Sequence, residues 1–292
     1  MILVTGASGH LGQSIIEKLL PQLPEGENLA VGTRNPEKLK HLKDQGIDIR
    51  EADYNDKNSL ITAFRGVSKV LLISGHAPND ERIKQHKNAI SAAVLAGTKH
   101  LCYTSFTHPA PESRFLFAEV HYKTEELLKN SGLTYTIFRN AWYADLLVEG
   151  IEQMLEGGKF EAAAGNGRIN SIPRSEIAAA IAKVLASPGY GNSTFELTGP
   201  DTFTYEEATQ WISEAYQKEV KYLDVNTEQI RKLYGGDASF GFEMQGILSS
   251  YEAMQANEYD YVSDDFEKIM GRKPLSVREF IQEQAKQSKS AG

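Results

Sequence analysis

Short continuous apolar runs and helix-spaced apolar positions take turns along the first half of the chain. Short apolar runs bounded by turn residues are typical of buried strands. Such runs occupy Met1–Thr5, Leu29–Thr33, Ile47–Glu51, Lys69–Ser74, His100–Thr104 and Tyr135–Arg139. Helical patterns occupy Leu11–Leu20, Pro36–Gln45, Asp56–Phe64, Asn79–Ala96, Ala118–Asn130 and Tyr143–Leu155. This alternation predicts parallel strands joined by right-handed crossovers, and hence an α/β doubly wound parallel sheet with helices on both faces.

The pattern changes after about Gly157, where the predicted elements become shorter. Helices are predicted at Glu176–Leu185, Tyr205–Tyr216, Thr227–Tyr234, Asp264–Met270 and Ser276–Gln287, and brief strands at Thr194–Leu197 and Lys221–Val225. We therefore expect a first domain over residues 1–156 and a smaller C-terminal α+β lobe over residues 157–292, partly packed back on the sheet. A lobe of this kind would close a cleft over the strand ends, where substrate sites commonly lie.

Composition and charge exclude several classes of function. The 292 residues are 41% hydrophobic and carry a net charge of −8, which indicates a globular chain with no basic patch for nucleic acid. The single cysteine, Cys102, excludes an internal disulfide and fits a reducing compartment. No stretch has the pattern of a signal peptide or a membrane span, so we expect a cytoplasmic protein. The seven histidines lack metal-ligand spacing, and no metal site is expected.

The first predicted strand runs into a glycine-spaced turn that precedes a helix. Gly6 permits the tight turn, Gly9 lets backbone N–H groups approach a pyrophosphate, and Gly12 lets the helix pack close to the sheet. The helix then directs its positive end at the phosphates. This context favours a dinucleotide site of the Rossmann type over an ordinary strand-to-helix turn. The residues assigned to it are Gly6, Ala7, Ser8, Gly9, His10 and Leu11.

Residues that directly follow the other strands extend the predicted cofactor site. Arg34 stands where an arginine accommodates the 2′-phosphate of NADP, and Asp53 can accept from an adenine amino group. The small residues after the fourth strand allow close backbone approach, and the polar ones after the fifth and sixth strands face the nicotinamide end. They are Ser74, Gly75, Thr104, Ser105, Asn140, Ala141 and Trp142. Trp142 or Tyr143 can stack on a flat ring. Surface, turn or core roles are the alternatives for these residues.

Several of these motifs resemble those of a known family. The Thr-Gly-x-x-Gly-x-x-Gly opening, Arg34, the segment Tyr135–Asn140, and Phe195–Pro200 followed by Tyr205-Glu206-Glu207 resemble the atypical short-chain dehydrogenases. Within these, the chain is similar to the NmrA-like group, and to its NADPH-dependent quinone oxidoreductases and triphenylmethane dye reductases. The resemblance covers nearly the whole chain. It implies NADP as cofactor and places Ser105 near a hydroxyl that orients a carbonyl.

The chain departs from ordinary short-chain dehydrogenases at the catalytic tyrosine. That family uses a tyrosine followed four residues later by a lysine, and none of the 13 tyrosines here has a lysine at that spacing. The family's helix spacing places Phe117 at the tyrosine position and His121 at the lysine position, with Glu125 one turn further. The resemblance implies a role for His121 at the nicotinamide ribose, against a structural alternative. We take His121 and Tyr143 as the catalytic candidates.

Without that tyrosine, a simple ketone would be a poor acceptor, because a general acid contributes about 10²–10⁴-fold in rate. A quinone or triarylmethane-type dye stabilises the incoming hydride by its own conjugation. We therefore predict an NADPH-dependent oxidoreductase acting on a planar conjugated acceptor, with a small aromatic or quinone substrate and neither nucleic-acid nor membrane partners. The alternative is an NmrA-like redox sensor that binds the dinucleotide without catalysis. The sequence leaves the oligomeric state open, and a dimer is compatible with it.

Overall fold

The computed structural model describes residues 1–234 and 241–291. Strands and helices alternate through the first half, as the apolar pattern indicates. The strands are β1 (Ile2–Val4), β2 (Leu29–Thr33), β3 (Asp48–Glu51), β4 (Lys69–Leu72), β5 (His100–Phe106) and β6 (Thr134–Asn140). The helices are α1 (His10–Leu19), α2 (Lys57–Phe64), α3 (Asn79–Ala96) and α4 (Ala118–Lys129), and Pro36–Gln45 forms 3₁₀ turns between β2 and β3.

The second half has shorter elements. Its strands are β7 (Trp142–Tyr143), β8 (Lys159–Ala162), β9 (Ile169–Ile172), β10 (Ser193–Leu197), β11 (Thr202–Phe203) and β12 (Lys221–Asp224). Its helices are α5 (Ile151–Gly157), α6 (Arg174–Ala186), α7 (Tyr205–Tyr216), α8 (Thr227–Leu233), α9 (Gly241–Gln255), α10 (Asp265–Met270) and α11 (Val277–Ala291). Helix α7 begins with a capping box, in which Thr204 and Glu207 bond each other's backbone N–H groups.

A seven-stranded sheet forms the centre of the fold, in the order β10-β6-β5-β4-β1-β2-β3. Every neighbouring pair in it is parallel. The chain moves outward from β1 in one direction as far as β3, then returns to the other side of β1 and continues with β4. Ligands of such sheets bind at this switch point, outside the carboxyl ends of the strands. The predicted α/β doubly wound parallel sheet is confirmed.

Elements on both sides of residue 156 share this sheet. Strand β10 pairs with β6 along Ser193–Leu197, and α6 packs on α1 across the face of the sheet. The short strands pair separately, as β11-β9-β7 and β12-β8. The division into residues 1–156 and 157–292 stays a prediction, and residues 235–240 and 292 of the second part lie outside the described residues. Within the described ranges, no helix combines the length and apolar character needed to cross a membrane.

The helix predicted over Tyr143–Leu155 is wrong in its first half. Trp142 and Tyr143 pair in parallel with Ser171 and Ile172 of β9, so tertiary pairing overrides the helical apolar spacing. Gly150 then adopts a left-handed backbone (φ 73°), and α5 begins only after it. The sequence pattern also missed α9, which contains Gly246. A Cβ on Gly246 would lie 2.4 Å from the Phe117 ring, so this glycine lets α9 approach Phe117 closely.

Candidate functional site

A cavity of about 350 Å³ lies at the carboxyl ends of β1 to β4, at the switch point of the sheet. Its lining includes seven residues expected from the sequence, namely Gly6, Ser8, Gly9, Arg34, Asp53, Ser74 and Gly75. The sequence reasoning missed other lining residues, among them Asn35, Lys38, Tyr54, Asn55, His76 and Gln85. Most of these residues lie more than one position beyond the end of a strand. The expectation that ligands bind directly after strands therefore does not identify them.

The glycine turn has the geometry of a phosphate cradle. Gly6 has a left-handed backbone (φ 60°), and a Cβ on Gly12 would lie 2.5 Å from the Gly6 carbonyl oxygen. A Cβ on Gly9 would meet only that same oxygen among the described residues, at 3.4 Å, so these residues leave space beside this glycine. Gly9 precedes α1 and provides no side-chain cap. The first N–H groups of α1, including those of His10 and Leu11, are therefore free to bind an anion.

The side chains of two residues assigned to the cradle point into the protein instead. Ala7 is fully buried, and its N–H donates to the Gly32 carbonyl oxygen at 3.3 Å. The Leu11 side chain packs in the hydrophobic core beneath the sheet. Only backbone groups of Leu11 therefore remain available to a ligand.

The opposite end of the cavity is positively charged. Arg34 and Lys38 both line it and are exposed, and neither makes an ion pair within the described part of the chain. Asp53 holds its own turn, since its Oδ1 accepts from the Asn55 N–H at 2.9 Å. Its second carboxylate oxygen makes no hydrogen bond to the described residues. This end can hold a phosphate together with a group that donates a hydrogen bond.

The Ser74–Gly75 segment is held in place by buried side chains. The Ser74 N–H donates to the Thr104 hydroxyl at 2.9 Å, and the Gly75 N–H donates to His86 Nε2 at 3.2 Å. The Thr124 hydroxyl donates to the Val120 carbonyl oxygen and so accepts from His86 Nδ1, which lies 2.8 Å away. His86 is therefore neutral with its proton on Nδ1. Burial, and secondly the Arg82 charge, holds its pKa well below the ordinary value.

His121 is buried and does not line the cavity. Its Nε2 lies 3.2 Å from Arg82 Nη2, and its Nδ1 lies 2.9 Å from the Tyr103 hydroxyl. A guanidinium only donates, so Nε2 carries no proton and Nδ1 carries it. Burial, with the charges of Arg82 and His86, holds the pKa of His121 well below its ordinary value. Its surroundings suit a positioning residue, and its catalytic role stays a prediction.

The residues after β6 lie among aromatic side chains. The Trp142 ring packs against Phe106 at 4.9 Å, Phe115 at 5.2 Å and Tyr259 at 5.7 Å between ring centres. The Arg174 guanidinium lies 5.0 Å from the centre of the Tyr143 ring, and burial raises the pKa of that tyrosine. Tyr143 is therefore protonated at neutral pH.

Two buried polar groups in this segment lack a hydrogen-bond partner among the described residues, the Asn140 amide and the Trp142 indole N–H. Asn140 is buried, and neither atom of its amide has a hydrogen bond of acceptable geometry to the described residues. A buried amide without partners is costly. It is consistent with a ligand that supplies those bonds. The next residue, Ala141, is buried, and its N–H donates to the Leu197 carbonyl oxygen.

Ser105 and Glu125 belong to a buried ion-pair network. The Ser105 hydroxyl donates to Glu125 Oε1 at 2.7 Å, so it is not free to orient a substrate carbonyl. Arg139 binds the same carboxylate through Nε at 2.9 Å and Nη2 at 2.7 Å, and binds Glu196 through Nη1 at 2.8 Å. Glu125 therefore joins α4 to β5 and β6, and Arg139 extends the network to β10. Among the residues that the structure describes, no group of acidic, histidine or cysteine side chains is placed to hold a metal ion.

Comparison with known proteins agrees with this geometry. A family model described as NAD(P)H-binding matches residues 6–188. Quinone oxidoreductase 2 of Escherichia coli (strain K12) is 39% identical over 226 residues, covering 77% of this chain and 78% of that protein. The structure of a Citrobacter sp. triphenylmethane reductase complexed with NADP(H) has a TM-score of 0.88 at 37% identity, covering 97% of this chain and 99% of that one. An E. coli NADPH-dependent quinone oxidoreductase complexed with NADPH also has a TM-score of 0.88, at 32% identity, with the same coverage.

Proposed function

The chain belongs to the NAD(P)H-binding family, and we propose that it is an NADPH-dependent oxidoreductase that transfers hydride to a planar conjugated acceptor, a quinone or a triarylmethane-type dye. The observation that carries the proposal is the cavity at the switch point, which contains a glycine cradle and two cations, Arg34 and Lys38, that make no ion pair with the residues the structure describes. The relatives supply the acceptor class, since they are a quinone oxidoreductase and a triphenylmethane reductase.

The residues of the cavity fit a bound NADPH. The cradle at Gly6 and Gly9 binds the pyrophosphate through backbone N–H groups and the positive end of α1. Arg34 and Lys38 neutralise the 2′-phosphate, and Asp53 accepts from the adenine amino group. Thr104 and His86 position the Ser74–Gly75 segment against the cofactor. When bound, NADPH supplies the hydride.

No proton donor replaces the missing tyrosine among the candidate residues. Phe117 stands in its place, His121 is neutral and bonded on both nitrogens, and burial raises the pKa of Tyr143. The protein then contributes position and exclusion of water, and the acceptor itself must stabilise the added hydride. A quinone or dye does this through its conjugation.

The function is tested by screening acceptors with NADPH and following its absorbance. Quinones and triarylmethane dyes are expected to be reduced, and simple secondary alcohols are not expected to be oxidised with NADP. Quinone turnover is expected to stay nearly constant across about pH 6–8, because neither buried histidine gains a proton there and Tyr143 does not lose one. Efficient alcohol oxidation would contradict the acceptor class. Tight NADPH binding without turnover of any acceptor would instead support the redox-sensor alternative.

Cofactor preference is tested at Arg34. Arg34→Ala is expected to lower the preference for NADPH over NADH by about 10- to 100-fold, since a charge-assisted hydrogen bond contributes about 1.5–3 kcal/mol. Lys40→Ala is the matched control, because Lys40 is an exposed neighbour that pairs with Glu37. Both are measured by calorimetric titration with each cofactor. Equal affinities of the unmodified protein for NADPH and NADH would show that Arg34 does not bind the 2′-phosphate.

We place the protein in the cytoplasm. The support is its single cysteine, Cys102, which is a buried free thiol. Such cysteine usage fits a reducing compartment.

A further inference from the structure

Arg82 on α3 is a buried cation without a counter-charge. The residue is 8% exposed, and it makes no ion pair with any carboxylate in residues 1–234 and 241–291. Its partners are neutral: Nε and Nη2 donate to the Ser74 hydroxyl at 3.1 and 2.6 Å, and Nη2 also donates to His121. Buried charges in proteins are normally paired, because burying a charge without a counter-charge costs roughly several kcal/mol. An unpaired one indicates a negative charge that comes from outside the chain.

Arg82 contacts both a residue of the cofactor cavity and the ring of Phe117. Ser74, which it binds, lines the cavity. On its other side, the centre of its guanidinium lies 5.8 Å from the centre of the ring of Phe117, the residue that stands in place of the missing acid. Two of the three guanidinium nitrogens carry the hydrogen bonds described above. Nη1 makes none to the described residues and remains available as a donor.

The groups that face Arg82 direct its guanidinium, and although burial lowers the pKa of Arg82, a guanidinium stays protonated at neutral pH. His121 and His86 are neutral acceptors, and the tyrosines whose charges bear on it, Tyr103 and Tyr143, are protonated because burial raises their pKa values. None of these groups supplies a negative charge at neutral pH. Within the part of the chain that the structure describes, no full negative charge faces Arg82, and the Phe117 ring gives it only a cation–π contact.

We propose that Arg82 is a catalytic residue that binds the oxygen of a quinone acceptor and stabilises the negative charge formed there on reduction. This inference rests on the proposed function and adds a residue that distinguishes its two acceptor classes. A preorganised donor aimed at a developing oxyanion is worth about 10²–10³-fold in rate. Arg82 stabilises this charge as a hydrogen-bond donor and keeps its own proton.

The two acceptors differ in charge along the reaction. A quinone takes one hydride, two electrons and one proton, from NADPH; a C–H bond of the cofactor breaks and NADP⁺ forms. The quinone becomes a hydroquinone monoanion, and a proton from water completes the hydroquinone. A triarylmethane cation takes the same hydride at its central carbon and becomes a neutral leuco dye, with no oxyanion. Arg82 therefore helps the quinone reaction and repels the cationic dye.

The decisive experiment compares both acceptors in the Arg82→Met variant. Methionine retains much of the buried volume and removes the charge. We expect kcat with a quinone to fall about 10²-fold, and kcat/KM with a triarylmethane dye to stay the same or rise. Both reactions use the same cofactor and transfer the same hydride. The ratio of the two rate changes therefore reports how Arg82 acts on the acceptor. Lys84→Met, which removes an exposed charge from the same helix, is the matched control and should change neither reaction.

A binding measurement tests the same charge without turnover. We expect 4-nitrophenol, bound in the presence of NADP⁺, to ionise at lower pH in the unmodified protein than in Arg82→Met, as read from its visible absorbance. Arg82→Lys should retain part of the effect, which also guards against a misfolded methionine variant.

Three results would overturn the assignment of Arg82. One is an equal loss of rate with quinone and dye, and another is equal ionisation of bound nitrophenol in both proteins. The third is a large loss of NADPH affinity in Arg82→Met by calorimetry, which would make a cofactor phosphate its counter-ion. Failure of the proposed function gives a different result, because the unmodified protein would then reduce neither acceptor, while the nitrophenol titration still decides whether Arg82 binds an oxyanion.

Discussion

Replacing Gly9 with valine is expected to abolish NADPH binding while the chain stays folded. A Cβ at this position meets only the Gly6 carbonyl oxygen, at 3.4 Å, so the protein itself has room for a side chain. The branched side chain instead fills the space where a pyrophosphate approaches the first N–H groups of α1. Gly9 is the N-cap residue of α1, and its replacement by valine lowers the stability of that helix by about 1 kcal/mol. Calorimetry should show no heat of binding, while thermal unfolding remains cooperative.

Two other glycines serve as comparisons for this result. Gly157→Val is the control, because Gly157 is exposed and a Cβ there has only a distant contact, 3.9 Å from Lys159. It should bind NADPH as the unmodified protein does. Gly12→Ala should instead destabilise the chain, since its Cβ would lie 2.5 Å from the Gly6 carbonyl oxygen. Micromolar NADPH affinity in a folded Gly9→Val variant would show that the cradle lies elsewhere.

Replacing Glu125 with alanine is expected to lower the free energy of unfolding by about 3 kcal/mol. Glu125 is 2% exposed, and its carboxylate accepts from Arg139, Ser105 and Lys129. Its loss leaves the Ser105 hydroxyl without its acceptor and Arg139 with Glu196 alone. Arg139 is partly exposed, so water compensates some of the lost charge interaction. Urea unfolding measures the change.

The neighbouring residue Glu126 gives a matched control on the same helix. Its carboxylate is half exposed and, among the described residues, pairs only with Lys129, at 3.7 Å, so Glu126→Ala should cost well under about 1 kcal/mol. Equal losses in the two variants would show that burial of Glu125 contributes nothing beyond a surface ion pair.

The central sheet was predictable because buried parallel strands are continuous apolar runs that need no distant information. The cradle was predictable for a similar reason, since the turn, the glycines and the helix are adjacent in the chain. Arg34 and Asp53 followed from the rule that ligands bind at strand ends. Strands β8 and β9 were missed because four residues that pair with distant segments leave little periodic signal.

Other site features depend on packing that no local pattern records. Lys38 reaches the cavity from the 3₁₀ turns after β2, and Gln85 reaches it from α3. Arg82 has the sequence appearance of a solvated helical residue, and its burial arises only where α3 meets α4 and the Ser74 segment. Similarly, the spacing from His121 to Glu125 implied a site, whereas the structure shows Glu125 in an ion pair with Arg139 and His121 bonded to Arg82.

The place of β10 in the sheet bears on how the chain folds as it is synthesised. This strand covers the edge of β6, yet β6 ends at Asn140 and β10 ends at Leu197, with α5, α6 and several short strands made between them. An uncovered strand edge offers its backbone groups to other chains. While the ribosome adds those intervening residues, strands β1 to β6 have already been made and can pair with one another. Of the seven strands of the sheet, β10, which covers the edge of β6, is the one still missing. The interval between Asn140 and Leu197 is thus the stage of synthesis at which nascent chains are most open to association with one another.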